Sequence, residues 1–433
     1  MSAAALQEKP PCGSVLAAMA TIGELDVPAV VKNALAEIAK ARGFGEPRFH
    51  VESGSSAGDG YTSVMFRVNL NGTDASGKAD SLSVMCKTTI SDNMMMAGVF
   101  KTEDCIYKSV LPAMENIAAL KEPLPWPRCY HSDVGGEKPC IVLGDLGVDN
   151  FTMADRRVPL DVKHCRLALS QLARYHGAGL ALRHLKPDEF QYMADTLGAS
   201  YANKEMLEAF QHFFTTIENA ADILLDKFPE GSEERSKLQR LLSSFPEEFI
   251  RSMHSPPDGP GCGIIHGDCH INNMMFQYET VSGEVTGCKL IDFQTSRFGA
   301  TAMDLGSLLV ACTDKATRDE HWDDLLRGYH RELQDTLRSS GIMDPDSIYS
   351  WDQFMVRMQE AVRYGVCWTP MALHAFLADA QGVQELHDSV KGLGDTIGSK
   401  QLTPTPTFKI QASPQMVQRF GDVVQSALDW GWL

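Results

Sequence analysis

Hydrophobic and polar residues follow two different periods in the first third of the chain. Apolar residues recur at helical spacing from Val30 to Ile38, and Gly43 stands where such a helix would end. Residues 63–70 and 81–89 are strand-like and are separated by a polar, glycine-bearing turn. The pattern therefore predicts a lead-in helix followed by an antiparallel β-hairpin.

Helical periodicity dominates the rest of the chain. A helix is predicted at about residues 98–111, and the apolar run "CIVLGDLG" at 140–147 predicts another strand. Residues 160–185, 204–228 and 232–253 carry apolar positions at helical spacing, and two strand-like runs flank Ser282 and Gly283. Further helical segments run to residue 433 and are interrupted by a proline-containing linker at 402–407. We expect a β-rich domain at 1–145 and a mostly helical domain at 146–433.

Composition and charge restrict the possible partners. The 433 residues are 44% hydrophobic, which is enough for two packed domains. The formal net charge of -17 disfavours contact with nucleic acid phosphates and anionic lipid. No uncharged apolar run reaches the roughly 18 residues that a membrane span needs. We expect neither a nucleic acid nor a membrane as partner, and the sequence leaves the oligomeric state open.

The cysteines and the N-terminal residues bear on the cellular compartment. Eleven cysteines occur without a C-x-x-C pair, and an odd number cannot all pair within the chain. Reduced thiols are the simplest interpretation. The first 26 residues lack the basic region of a secretory signal. We therefore expect a cytoplasmic protein.

The segment "IIHGDCHINNMMF", residues 264–276, concentrates polar side chains between apolar flanks. One interpretation is a zinc site, with four possible ligands: Cys262, His266, Cys269 and His270. Structural zinc sites usually have two separated ligand pairs, so this spacing disfavours zinc. Another interpretation is a polar turn in which Asn and Asp satisfy the local backbone. In isolation, the segment would favour the turn.

A third interpretation follows from spacing. His266, Asp268 and Asn273 reproduce the H-x-D-x-x-x-x-N arrangement of kinase catalytic loops, in which the aspartate accepts the proton of the acceptor hydroxyl. In "LIDF", Asp292 follows two apolar residues, where a kinase aspartate would bind the metal ion that bridges the phosphates. The two motifs occur in the order that phosphoryl transfer requires.

Residues upstream match the same chemistry. Lys87 lies in the second predicted strand and Glu103 in the next helix, as in the pair that orients ATP phosphates. Taken alone, such a pair is more often a surface ion pair. The stretch "SGSSAGDGYTS" could bring backbone amides close to phosphate through Gly58 and Gly60, although its glycines could equally shape a turn.

The segment "CIVLGDL" is the predicted connector between the two lobes, where backbone groups would meet adenine. Its candidate contacts are Val142, Gly144 and Asp145. A plain buried strand is the alternative interpretation.

These motifs resemble the aminoglycoside and choline kinase superfamily and, within it, the ecdysteroid kinase-like (CHK domain) family. The resemblance rests on H-G-D-x-x-x-x-N at 266–273 and I-D-F-Q at 291–294. It extends to "GDGYTSVMFRV" from Gly58, which includes Ser63, and to segments starting at Val99 and Leu172. It spans roughly residues 50–310. Gly60 and the Cys269-His270 pair depart from the usual family residues.

The resemblance implies an α+β, two-lobed protein-kinase-like fold, with a small antiparallel sheet in the first lobe and a mostly helical second lobe. It also implies ATP and Mg²⁺ as cofactors. Asp268 would act as base, Asn273 and Asp292 would bind Mg²⁺, and Lys87 held by Glu103 would neutralise phosphate charge. His266 would orient the loop and Asp304 would brace it. His176 is expected to be a core histidine.

The acceptor is expected to be a small-molecule alcohol that binds in the helical lobe. An ecdysteroid-like or other hydrophobic alcohol is the leading interpretation, with a choline-like or amino-sugar substrate as the alternative. Three aromatic residues could contact the acceptor or could belong to the core: Trp351, Trp368 and Phe376. A pseudokinase that binds nucleotide and acts as a scaffold is a further possibility. The lysine, the base and the metal ligands that kinase chemistry requires are all present, which argues against a pseudokinase.

Overall fold

Contacts between residues divide the chain into two compact units. The computed structural model describes residues 27–54, 63–74, 76–89, 94–118, 124–136, 138–201, 225–226, 228–254, 258–379, 381–385, 388 and 413–433. The first unit contains the described residues within 1–56, 63–90 and 128–145. The second contains those within 91–127 and 146–433, so it includes a helical stretch that precedes residue 145.

A five-stranded antiparallel sheet and one helix form the described part of the first unit. The elements are α1 (Ala29–Ala41), β1 (Gly45–Ser53), β2 (Ser63–Thr73), β3 (Ala79–Thr89), β4 (Cys129–Asp133) and β5 (Cys140–Gly144), with strand order β1-β2-β3-β5-β4. The apolar face of α1 contributes Val31, Leu35 and Ile38 to a core that also contains Val68 and Val84 from the sheet. This core explains the helical and strand periods of the sequence, because each element buries one face.

Helices predominate in the second unit. Their bounds are α2 (Met94–Cys105), a π-helical turn (Ile106–Val110), α3 (Leu111–Ala118), α4 (Val162–Leu185), α5 (Pro187–Tyr201), α6 (Glu233–His254), α7 (Ala302–Ala311), α8 (Lys315–Ser339), α9 (Asp346–Tyr349), α10 (Trp351–Leu377) and α11 (Pro414–Asp429). Helix α4 packs against α3, α5 and α8. The α+β class predicted from the sequence is therefore confirmed.

Two small antiparallel sheets accompany these helices. One contains β6 (Phe151–Met153), β8 (Met274–Tyr278) and β9 (Val285–Leu290) in the order β6-β8-β9, and the other pairs β7 (Cys262–Ile265) with β10 (Arg297–Ala300). Strands β8 and β9 form the hairpin predicted around Ser282, and Gly283 adopts a positive φ of 69° in its turn. The segment between β7 and β8 contains the catalytic-loop motif.

Several elements differ from the sequence prediction. The helix predicted at 98–111 begins earlier, at Met94, and continues through a π-helical turn to Ala118. The sequence pattern predicts no strand at the positions of β1, β4, β6 and β10. Strands of three or four residues are too short to show a period, whereas β1 has an alternating burial pattern that includes Phe49 and Val51. The predicted linker at 402–407 and most of the helix predicted at 204–228 lie outside the described residues.

Two findings concern the wider properties of the chain. Across the described ranges, no helix is both long and apolar enough to cross a membrane. None of the ten cysteines that the structure describes forms a disulfide, and eight of them are buried.

Candidate active site

The catalytic-loop motif begins directly after β7 and is anchored by a buried carboxylate. Asp304, in the first turn of α7, accepts hydrogen bonds from the backbone N–H groups of His266 at 2.7 Å and Gly267 at 2.9 Å. Gly267 has a φ of 85°, and a Cβ atom there would lie 2.3 Å from the carbonyl oxygen of Thr295. Only glycine fits this backbone conformation and this close approach.

A second contact holds the Asp304 carboxylate from the helical side. His176 of α4 is fully buried, and its Nε2 lies 2.9 Å from Asp304 Oδ2. Its Nδ1 lies 2.8 Å from the Tyr329 hydroxyl of α8. The expected core histidine is thus buried and also connects two helices to the loop.

Asp268 and Asn273 contact each other directly. The Asn273 Nδ2 donates to the Asp268 backbone carbonyl at 2.8 Å and to Asp268 Oδ2 at 3.0 Å. Both bonds depend on the short 3₁₀ helix at Ile271–Asn273, which returns the chain toward Asp268. The spacing of four intervening residues in the motif therefore brings the predicted base and the predicted metal ligand together.

The loop is also joined to the second motif. The Ile291 N–H donates to the Asn273 carbonyl at 3.0 Å, and His266 Nε2 lies 3.0 Å from the Ile291 carbonyl oxygen. Ile291 precedes Asp292, which has a positive φ of 66°. A non-glycine residue in this conformation is uncommon and often marks a functional site. The structure therefore brings Asp292 into the neighbourhood of Asn273, although the two residues are distant in sequence.

Burial and hydrogen bonding set the ionisation of the loop. Burial lowers the pKa of His266 below its usual range, so this ring is neutral and carries the proton that Nε2 donates to Ile291. Burial also opposes the charge on Asp268. The neighbouring His270 and the hydrogen bond from Asn273 outweigh that effect, and the pKa of Asp268 lies below its usual range. An anionic Asp268 is the form that can accept a proton.

His270 lies beside the predicted base. Its Nε2 is 3.2 Å from Asp268 Oδ1, and its Nδ1 accepts a hydrogen bond from the Asn272 N–H. Burial opposes a positive charge on this ring, but the neighbouring Asp268 carboxylate outweighs it and raises the pKa of His270. In the sequence, His270 is a possible zinc ligand and a departure from the usual family residues, and no contact with Asp268 is predicted from it. Its position two residues after Asp268 was the one signal of this contact.

The predicted residues of the first unit occupy the β-sheet. Lys87 is buried in β3, where it is paired with Met65 of β2 and Ile141 of β5. Ser63 begins β2 opposite Thr89. Glu103 is buried in α2 of the second unit, so the Lys87–Glu103 pair stays a prediction. Gly58 and Gly60 lie outside the described residues.

The connector residues are tied to the sheet through their backbone. Val142 is buried within β5, between β3 and β4. The N–H of Gly144 donates to Arg128, and the N–H of Asp145 donates to Ser83. The Asp145 carboxylate also accepts from the Arg67 side chain at 3.0 Å and from the Ser83 hydroxyl at 2.8 Å. Contact of this segment with adenine stays a prediction.

The three aromatic candidates for acceptor binding lie in different surroundings. Trp351 packs against His330 and Phe354, and Trp368 stacks on Tyr364. Phe376 differs, because its ring centroid lies 5.6 Å from that of His270. Of the three, Phe376 is connected to the catalytic loop through a described ring contact.

The donor set fits the magnesium ion that the motif implies. The amide nitrogen of Asn273 faces two acceptors on Asp268, so its amide oxygen points to the other side. This oxygen and the Asp292 carboxylate are the hard ligands that Mg²⁺ prefers, and substrate phosphates usually complete its coordination. Among the residues that the structure describes, no group of three or more His, Cys, Asp or Glu side chains could hold a metal ion. Burial also raises the pKa of the Cys262 and Cys269 thiols, which disfavours zinc-binding thiolates.

The chain is similar to a known protein family and to solved structures. The sequence profile of the ecdysteroid kinase-like family matches residues 57–342, about two thirds of the chain. No curated protein matches. Two solved structures are similar at low identity. A GDP complex of a mutant aminoglycoside 2'-phosphotransferase-IIIa has 14% identity and a TM-score of 0.37, covering 81% of this chain and 93% of that chain.

The other solved structure is a protein from Haemophilus somnus 129PT described as a putative fructosamine-3-kinase. It has 10% identity and a TM-score of 0.34, covering 85% of this chain and 96% of that chain. Both TM-scores lie below 0.5, so the assignment of the chain rests on the family profile. That match confirms the family resemblance found in the sequence motifs.

Proposed function

Because this chain belongs to the ecdysteroid kinase-like family, we propose that it transfers the γ-phosphoryl group of ATP to a hydroxyl of a small-molecule alcohol. One observation carries the proposal. Asn273 binds the Asp268 side chain and backbone, while Ile291 bonds to the same loop and directs the chain into Asp292. The residues that we propose as base and metal ligands are thereby connected by hydrogen bonds.

The reaction needs one proton transfer and one phosphoryl transfer. Asp268 accepts the proton of the acceptor hydroxyl, whose oxygen forms a bond to the γ-phosphorus. The bond from that phosphorus to the β–γ bridging oxygen breaks, and ADP leaves. In this proposal Lys87 offsets phosphate charge, and His266 keeps the loop joined to the Ile291 carbonyl.

Magnesium would be held by Asn273 and Asp292. When bound, the ion neutralises charge on the phosphates and orients them for transfer. The residues nearby support oxygen coordination, because Asn273 uses its amide nitrogen for Asp268 and retains its amide oxygen for a cation. ATP and Mg²⁺ are therefore the proposed cofactors.

The proposed acceptor is a hydrophobic alcohol, with an ecdysteroid-like sterol as the first compound to test. The family to which the chain belongs supports a sterol as the first compound. Phe376 packs against His270 but is only 1% exposed, so its ring belongs to the core. The formal net charge of -17 argues against nucleic acid and anionic membranes as partners, and we propose action on a small molecule in the cytoplasm.

Magnesium-dependent ADP release with a panel of alcohols tests this function. Sterol, choline-like and amino-sugar alcohols are compared, and the phosphorylated product is identified by mass. We expect turnover of the sterol class, and Asp268→Ala should lower kcat by roughly 10²–10⁴-fold because the base is lost. Asp335→Ala, at an exposed position on α8, is the matched control. Bound ATP without any phosphorylated product would contradict the proposal and favour a pseudokinase.

A further inference from the structure

His270 makes two contacts of different kinds with one imidazole ring. It precedes the 3₁₀ helix at Ile271–Asn273 with an extended backbone, at φ -147° and ψ 174°. Its Nδ1 accepts the Asn272 N–H at 3.2 Å, which caps this short helix. Its Nε2 lies 3.2 Å from Asp268 Oδ1. The usual capping residues, Ser, Thr, Asp and Asn, have side chains too short to make both contacts.

The capping contact defines the tautomer of the neutral ring. Nδ1 faces a backbone N–H and must accept, so Nε2 carries the proton. Nε2 lies 3.2 Å from Asp268 Oδ1 and 3.4 Å from Asn273 Nδ2. Because Asn273 Nδ2 donates both of its hydrogens to Asp268, to the backbone carbonyl and to Oδ2, the Nε2 proton of His270 is directed at Oδ1. Each carboxylate oxygen therefore receives one donor, from a different residue.

The imidazole ring is held in place from a second direction. The Phe376 ring packs on it at a tilt of 54°, with the centroids 5.6 Å apart. Phe376 lies at the C-terminal end of α10, where the Arg156 guanidinium donates to the carbonyl of Phe376 at 2.6 Å and to that of Ala378 at 2.8 Å. The helix end, the Phe376 ring and the cap together restrict the orientation of His270.

We propose that His270 is a positioning residue, which holds the Asp268 carboxylate in the orientation that accepts the proton of the acceptor hydroxyl. This inference rests on the proposed kinase function. An ionised carboxylate has about four lone-pair sites, and the two donors use one on each oxygen. The remaining sites stay accessible to the hydroxyl, but the carboxylate no longer rotates. Without the His270 donor, Oδ1 loses its anchor and the base spends less time in the productive geometry.

Two substitutions separate the two contacts of His270. In His270→Asn, the amide oxygen occupies the place of Nδ1, so the cap is retained and the contact with Asp268 is lost. In His270→Gln, the amide nitrogen occupies the place of Nε2, so the donor to Asp268 is retained and the cap is lost. A residue that served only the fold would tolerate Asn better, whereas a positioning residue would tolerate Gln better.

We therefore expect opposite effects from the two variants. In His270→Asn, kcat should fall on the order of tenfold to a hundredfold, with the KM for ATP unchanged within about twofold. In His270→Gln, kcat should stay within about threefold of native, while Tm falls by about 1–3 °C because the cap is lost. Native kcat in His270→Asn, or equal loss of kcat in both variants, would overturn the proposal.

The tautomer of His270 can be measured without knowing which alcohol the protein phosphorylates. Nitrogen-15 NMR of protein labelled at histidine should show the Nε2–H form for His270 as well as for His266. The His270 resonance is the one that is absent from His270→Gln. Asp268→Asn should shift that resonance, because the side chain that accepts the hydrogen bond of His270 would then carry no charge. An Nδ1–H tautomer would overturn the inference. A native protein that phosphorylates no alcohol would refute the proposed function, and the tautomer alone would then decide whether His270 binds Asp268.

Discussion

Asp304 shows how one buried carboxylate can organise a catalytic loop. It is 1% exposed and accepts the backbone N–H groups of His266 and Gly267, and it also contacts His176. A buried charge is costly unless it is paired and hydrogen-bonded, and here three donors surround it. Burial opposes ionisation, but the hydrogen bond and charge of His176 outweigh that effect and hold the pKa of Asp304 below its usual range.

Replacing Asp304 should alter both stability and its pH dependence. A lowered pKa in the folded state means that Asp304 stabilises the fold above its ordinary pKa of about 3.9, and that this stabilisation is lost as pH falls through the folded value. In Asp304→Asn, we expect the free energy of unfolding at pH 7 to fall on the order of 3 kcal/mol. As pH is lowered, the free energy of unfolding of this variant should fall less steeply than that of the native protein.

Urea unfolding measures the free energy of unfolding at a series of pH values between about pH 3 and pH 7 and so checks this expectation. The control is Asp335→Asn, because Asp335 is exposed and pairs with Arg338 on the surface of α8. If the free energy of unfolding fell equally steeply with decreasing pH in the native protein and in Asp304→Asn, the role assigned to the buried carboxylate would be contradicted.

At the scale of elements, helices α7 and α10 meet through glycines. A Cβ atom on Gly306 would lie 2.1 Å from the carbonyl oxygen of Ala361, and one on Gly365 would lie 2.5 Å from the carbonyl oxygen of Gly306. The two backbones are therefore too close for a side chain at either glycine position. Because Asp304 lies in the first turn of α7, this packing also positions the carboxylate that holds the catalytic-loop motif.

The crossing predicts a contrast between two glycine-to-alanine substitutions. Gly306→Ala should lower the free energy of unfolding by about 2 kcal/mol or more, because backbone atoms must move apart. Gly328→Ala is the matched control, since Gly328 also lies within a helix but has open space around its Cβ position. It should raise stability by roughly 0.5 kcal/mol. Thermal unfolding of both variants measures the difference, and equal effects would exclude tight packing at Gly306.

At the scale of the whole molecule, most of the described cysteine thiols are buried. Eight of the ten described cysteines are buried, and burial raises the pKa of Cys105 to about 11 and that of Cys140 to about 12. Thiolates are the reactive form, so neither the accessibility nor the ionisation of these side chains favours reaction. The fold therefore protects most of its cysteines from modification while it remains intact.

Reaction with a thiol reagent at about pH 8 should separate the folded and unfolded states. We expect a minority of thiols to react promptly in the native protein, and all eleven cysteines to react in denaturant. The colorimetric reagent dithionitrobenzoate gives the count in both conditions. Prompt reaction of most thiols without denaturant would contradict the burial described here.

Local patterns were sufficient for the α+β class, the β2–β3 hairpin and the kinase motif. An element that buries one face shows its period in the sequence, and Asp268, Asn273 and Asp292 recur at characteristic spacing. The contacts of His270 with Asp268 and Phe376, and those of Asp304 with His176, needed the tertiary structure. They join residues whose proximity depends on helix packing and loop conformation, and neither leaves a period along the chain.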